Sequence, residues 1–152
     1  MAEATTPAST LSYADAYASF DFDRAAAELA GDLSSNVNAC VECVDRWCGA
    51  GKLALRWEDA AGHSRDMTFE ELRAEAARFA NLLTAQGIGP GDRVAVMLPR
   101  TPDLMIAAMG IWRACAVYQP LFTAFGPKAI EHRLGTSAAK LVVTDPANRP
   151  KL

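Results

Sequence analysis

Three short apolar segments alternate with two helical segments between residues 93 and 144, and this order limits the fold more than any other feature. The predicted strands are residues 93–98, 116–121 and 140–144, and the helices between them occupy residues 102–114 and 127–135. Short crossovers between apolar strands indicate parallel pairing, with helices on the faces of the sheet. The sequence therefore predicts an α/β fold with a β-α-β-α-β parallel sheet. Three strands seldom complete such a sheet, so we expect an incomplete part of a larger domain.

The N-terminal third of the sequence predicts a tail followed by a helical arm. Residues 1–10 are mostly Ala, Thr, Ser and Pro and predict a disordered tail. Residues 11–35 predict short helices that carry aromatic and acidic side chains. A further helix is predicted from Asn36 to Cys48, where apolar residues recur at helical spacing. We assign residues 11–152 to one partial domain.

A β-hairpin and an amphipathic helix are predicted between the arm and the sheet. Residues 53–58 alternate between apolar and polar types, residues 59–62 form a turn, and residues 63–67 are the returning strand. Thr68 and Glu71 have the spacing of a capping box, and an apolar stripe follows at helical period. Gly87 is the expected end of this helix.

Composition and charge exclude several classes of protein. The chain has 18 acidic and 15 basic residues and a net charge of −3, so it lacks the positive field of an electrostatic nucleic-acid binder. Its longest strongly apolar run, residues 104–112, is far shorter than the roughly 20 residues of a membrane span. The first basic residue is Arg24, which is not typical of a signal peptide. We expect a cytoplasmic protein.

Two motifs that resemble functional sites fail on their spacing. Three of the four cysteines lie within nine residues, but they lack the second ligand pair of a structural zinc site. The glycines at residues 49–51 resemble a P-loop, yet Arg46 and Leu53 stand where that loop needs Gly and Ser or Thr. Cys115 is expected to be a small buried residue. The sequence thus predicts no catalytic residue and no metal ligand.

One loop lies where α/β proteins bind ligands. Residues 119–127 follow a predicted strand, are uncharged and aromatic, and suit a flat apolar group such as a nucleobase. Residues 128–152 contain five basic and two acidic residues. Arg149 and Lys151 could therefore hold the phosphates of a nucleotide near the loop. Loop packing beside an ordinary charged terminus remains an alternative.

Several segments, in this order and spacing, resemble the N-terminal part of AMP-forming acyl-CoA synthetases. They are Thr-Phe-Glu-Glu-Leu at residues 68–72, the Gly-Ile-Gly-Pro-Gly-Asp-Arg stretch that begins at Gly87, residues 118–130, which contain the aromatic segment, and the predicted strand at residues 139–145. Residues 38–47 are similar to the lead-in of the acetate and medium-chain branches. The resemblance covers about residues 11–152.

The resemblance implies a ligase that activates a carboxylic acid with ATP and Mg²⁺ and transfers the acyl group from the adenylate to CoA. The family's phosphate loop, ribose-binding Asp and adenylation Lys lie later in its sequence, so this chain alone is expected to be inactive. The resemblance assigns the CoA nucleotide site to Phe122, Thr123, Ala124 and Arg149. Where the family usually has Gly, this chain has Cys115, and we expect its side chain to crowd the turn.

Two other classes of protein compete with this interpretation. The first is a non-catalytic α/β module that binds a nucleotide or a partner without turnover. The second is a receiver-like signalling domain, which would need clustered acids at the strand ends. Only Asp145 meets that requirement, so the sequence disfavours the second class.

Overall fold

The computed structural model describes residues 11–152, and the predicted tail at residues 1–10 lies outside the described residues. Helices and strands alternate along most of the described chain. Two 3₁₀ turns, Asp45–Trp47 and Arg149–Lys151, complete the secondary structure. In chain order the elements are α1 (Tyr13–Ala18), α2 (Phe22–Ala27), α3 (Ala39–Cys43), β1 (Leu53–Glu58), β2 (Ser64–Thr68), α4 (Phe69–Ala85), β3 (Arg93–Met97), α5 (Pro102–Arg113), β4 (Val117–Pro120), α6 (Pro127–Ser137) and β5 (Leu141–Thr144).

The main sheet has β3 at its centre, with β4 and β5 parallel to it on either side. This arrangement confirms the predicted β-α-β-α-β sheet. Val96 pairs with Pro120 and Met97 pairs with Thr144, so the carboxyl ends of all three strands lie at one edge. The segments that follow β4 and β5 therefore leave the sheet at that edge, where open α/β sheets bind ligands.

Both faces of β3 are buried, which explains its continuous apolar sequence. Val94 and Val96 belong to a cluster with residues of α4 and α5. Ala95 and Met97 point to the other face and pack with Leu121 and with residues of α6. The result is a three-layer arrangement, with α4 and α5 on one side of the sheet and α6 on the other.

The hairpin and the capping box are present as predicted. β1 and β2 pair antiparallel as a separate two-stranded sheet. The backbone N–H of Glu71 donates to Thr68 Oγ1 at 3.2 Å, and the Thr68 N–H donates to the Glu71 carboxylate at 2.8 Å. These reciprocal bonds satisfy donors that the first turn of α4 would leave unpaired.

The single helix predicted from Asn36 to Cys48 is wrong, because the segment is divided into α3 and a 3₁₀ turn. The Asn38 side chain accepts from the Cys40 N–H at 2.9 Å, which starts α3 at Ala39. The helix then breaks at Val44, where φ is −128° and ψ is −63°. Val44 is nevertheless fully buried, so the break preserves the apolar contact that the helical spacing predicted.

The helical arm is formed by α1 and α2, neither of which contains a buried residue. The segment after α2 is attached to α3 through polar contacts. The Glu42 carboxylate accepts from the backbone N–H groups of Ala30 and Gly31 at 3.1 and 2.8 Å. Arg46 pairs with Glu42 and donates to the Glu28 carbonyl. The arm is thus fixed at its C-terminal end, while its aromatic side chains are exposed.

Cys115 occupies a left-handed position just after α5, with φ of +56°. The Ala116 N–H donates to the Ile111 carbonyl and the Cys115 N–H to the Trp112 carbonyl, both at 3.0 Å, which is the Schellman pattern of helix termination. Glycine is the usual residue at this position because it has no Cβ to strain. The expected burial of Cys115 is wrong: its side chain is exposed beside the turn.

We expect Cys115→Gly to raise the free energy of unfolding by about 1 kcal/mol, because the left-handed conformation costs a residue with a Cβ about that much. Urea titration of the two proteins measures the difference. Cys48→Gly is the matched control, since Cys48 has an ordinary φ of −63° and glycine there should destabilise the chain. If Cys115→Gly does not raise the free energy of unfolding, the strain argument is contradicted.

Candidate functional site

The aromatic loop, residues 121–126, follows β4 at the carboxyl edge of the sheet. Its first residue, Leu121, is held in place because its backbone N–H donates to the Val96 carbonyl at 2.9 Å. The Phe125 ring lies 4.1 Å from the guanidinium carbon of Arg133 and 5.8 Å from the Phe122 ring centroid. Phe125 is half-buried, whereas Phe122 is 62% exposed. The Phe122 ring is therefore available to a flat ligand.

A cleft of about 170 Å³ opens between this loop and the carboxyl end of β3. Burial raises the pKa of the Tyr118 phenol in its wall, so that group stays neutral across the physiological range. Sequence reasoning missed Arg100 in the lining, although it follows closely after β3. Most of the lining is apolar, and it consists of Val96, Leu98, Pro99, Arg100, Leu104, Tyr118, Pro120, Leu121, Phe122 and Thr123.

The terminal turn, residues 145–151, follows β5 at the same edge. Its geometry depends on Asp145, whose Oδ1 accepts from both the backbone N–H and the side-chain amide of Asn148 at 2.8 Å. The Arg149 N–H donates to the Asp145 carbonyl at 3.0 Å and begins the 3₁₀ turn. Asn148 is only 9% exposed, which makes it the anchor of the turn.

Lys151 joins the terminal turn to the aromatic loop. Its ammonium group donates to the Thr123 backbone carbonyl and, at 3.1 Å, to Asn148 Oδ1. The two segments that the sequence suggested as a joint site are thus in contact.

The four residues assigned from the resemblance do not all lie on one surface. Phe122 and Thr123 line the cleft, and Ala124 is exposed in the same loop. Arg149 is exposed and lines a separate groove of about 470 Å³ between α4 and β5. A ligand that contacts both Phe122 and Arg149 must therefore extend along the edge of the sheet, as an elongated nucleotide can.

Two further properties concern metals and membranes. Within residues 11–152, His, Cys, Asp and Glu side chains nowhere form a group of three that could hold a metal ion. No helix in this part of the chain is both long and apolar enough to span a bilayer.

Comparison with known sequences identifies relatives that are much longer than this chain. The AMP-binding enzyme family matches residues 44–152. An acetyl-coenzyme A synthetase of Sodalis glossinidius is 40% identical over 111 residues, which are 71% of this chain and 17% of that protein. The Bacillus subtilis acetyl-coenzyme A synthetase is 35% identical over 138 residues, which are 88% of this chain and 24% of that protein.

Comparison with solved structures gives the same result. The crystal structure of Brucella canis acyl-CoA synthetase fits with a TM-score of 0.87 and 54% identity, over 91% of this chain and 26% of that one. ATP-bound MatB from Rhodopseudomonas palustris fits with a TM-score of 0.65 and 33% identity, over 75% of this chain and 22% of that one. The resemblance to AMP-forming acyl-CoA synthetases is confirmed. The chain belongs to the AMP-binding enzyme family and corresponds to the N-terminal part of its AMP-binding domain.

Proposed function

We propose that this chain is the N-terminal part of an acid–CoA ligase that activates a carboxylic acid with ATP and transfers the acyl group from the adenylate to CoA. The observation that carries the proposal is the close structural likeness to an acyl-CoA synthetase over nearly the whole chain. ATP and its Mg²⁺ are assigned to later parts of the longer protein. A cytoplasmic location is part of the proposal.

The contribution of this segment is a binding surface for the nucleotide end of CoA. The exposed Phe122 ring stacks on adenine, and the apolar cleft excludes water from one side of the base. Ala124 is small and lets the ligand approach the loop backbone. The Arg149 guanidinium donates to a phosphate through charge-assisted hydrogen bonds. Thr123 is held by Lys151 and keeps the loop in place.

ATP–pyrophosphate exchange tests the assignment of the reaction. The 152-residue chain is expected to give no acid-dependent exchange, because catalysis of adenylation depends on positioned charges that the family carries later in its sequence. The longer protein that contains this segment is expected to exchange with acetate, butyrate or benzoate and to form a thioester when CoA is added.

Each alternative result has a distinct meaning. Exchange by the 152-residue chain above a protein-free blank would contradict the assignment of the adenylation groups. If the longer protein binds CoA but catalyses no ATP–pyrophosphate exchange with any of the three acids, the result favours the non-catalytic binding module.

A further inference from the structure

We propose that Lys151 is a positioning residue, whose ammonium group fixes the aromatic loop and the terminal turn relative to each other and thereby sets the geometry of the CoA site. The inference rests on the proposed function for its effect on CoA. Its structural part, the connection between the loop and the turn, stands on the contacts alone.

The contacts of Lys151 join segments that the sheet itself holds apart. The aromatic loop follows β4 and the terminal turn follows β5, and these strands lie on opposite sides of β3. Lys151 lies 28 residues after Thr123 in sequence, and its partly buried ammonium group donates to the Thr123 carbonyl. Hydrogen bonds from a charged donor are about twice as strong as neutral ones. This bond is therefore a strong link across the end of the central strand.

The ammonium group is itself held in position. It donates to Asn148 Oδ1 at 3.1 Å, and the Lys151 backbone N–H donates to the Asn148 carbonyl at 3.0 Å. Asn148 in turn is bonded twice to Asp145, at the end of β5. The chain of contacts thus runs from β5 through Asn148 and Lys151 to the aromatic loop. A lysine with these contacts connects the two segments structurally and does not act as a solvated surface charge.

Both ligand-binding side chains are adjacent to this link. Phe122 precedes Thr123, and Arg149 lies two residues before Lys151. Without the ammonium group, a partly buried carbonyl and an amide oxygen would lose their donor, and the loop would lose its connection to the terminal turn. A shift of about 1 Å between binding groups is enough to lose substantial affinity or rate.

Lys151→Met tests the link, because methionine keeps an unbranched apolar stem and removes the charge and its donors. In the 152-residue chain, we expect the Phe125 backbone amide, which donates to the Phe122 carbonyl at 3.0 Å, to exchange with solvent about 10-fold faster or more, as loss of a charged hydrogen bond implies. Hydrogen-exchange mass spectrometry measures this rate. Lys151→Arg is expected to restore much of the protection. Lys128→Met, at an exposed lysine on α6, is the matched control and should leave the loop unchanged.

In the longer enzyme, Lys151→Met is expected to raise the KM for CoA about 10-fold while ATP–pyrophosphate exchange is unchanged. If hydrogen exchange in the aromatic loop is unchanged in Lys151→Met, the inference is overturned whatever the kinetics. Faster loop exchange with an unchanged KM, in an enzyme where Arg149→Ala does raise the KM, would overturn the positioning role. If neither variant alters the KM for CoA, the assigned CoA site is wrong and the positioning role is wrong with it, while faster loop exchange would still confirm the structural link.

Discussion

Alanine at Gly110 is expected to lower the free energy of unfolding by about 1–3 kcal/mol, the usual cost of overpacking a core. A Cβ there would lie 2.7 Å from Cδ1 of Phe79 and 2.9 Å from the backbone oxygen of Ala76. Neither contact can be relieved without moving the Phe79 ring or separating α5 from α4. Since these helices together cover one face of the sheet, the strain falls on the main core. Urea titration followed by circular dichroism measures the loss.

Gly135→Ala is the matched control for this experiment. Gly135 is also helical, in α6, but a Cβ there would meet no atom within 4 Å. Alanine is therefore expected to raise the free energy of unfolding, by up to about 1 kcal/mol, through its higher helix propensity. The same substitution is thus expected to change the free energy of unfolding in opposite directions at the two helical glycines. Equal destabilisation at both positions would show that the close approach of Gly110 to α4 is not the cause.

In the longer enzyme of which we propose this chain is a part, Arg149→Ala is expected to raise the KM for CoA by about 10- to 100-fold. A charge-assisted hydrogen bond to phosphate contributes about 1.5–3 kcal/mol, and each 1.4 kcal/mol is a factor of ten. Adenylate formation needs no CoA, so ATP–pyrophosphate exchange should keep the wild-type rate. Steady-state thioester formation and the exchange assay, run on the same preparations, separate the two half-reactions.

Arg73→Ala is a suitable control because Arg73 is an exposed arginine on α4 that lines neither the cleft nor the groove. It should leave both half-reactions unchanged. Phe122→Ala should raise the KM for CoA as well, since stacking on a base contributes about 1–3 kcal/mol. If Phe122→Ala has this effect and Arg149→Ala does not, the ligand occupies the cleft alone and the assignment of Arg149 is wrong.

The sheet and the α4 helix could be predicted because their signals are local and repeated. β3 is apolar at every position from Val94 to Met97, as burial on both faces requires, and the Thr68–Glu71 capping box marks the start of α4 within three residues. The break at Val44 could not be predicted, since apolar residues at helical spacing continue through it. The segment is held by contacts distant in sequence: the side-chain amide of Asn38 donates to the Trp112 carbonyl at 2.9 Å, and Asp45, directly after the break, pairs with Arg113.

The candidate site was predictable only in its position along the sequence. The aromatic loop and Arg149 could be identified because each follows an apolar strand. The separation of Phe122 and Arg149 into a cleft and a different groove depends on strand order, and the sequence does not show that β3 lies between β4 and β5. Arg100 was missed for the same reason, because its place beside the cleft depends on how β3 and β4 pair.

The central position of β3 has a consequence for biosynthesis. Both of its partners are synthesised after it: Val94 pairs with Tyr118 on one side and with Leu141 on the other. A nascent chain therefore exposes an apolar strand with two open edges until β4 emerges, and with one open edge until β5 follows. Pairing over such sequence separations is slow, and strands with open edges associate readily. Chaperone binding during translation should thus be strongest after β3 emerges and should decline once β5 has docked.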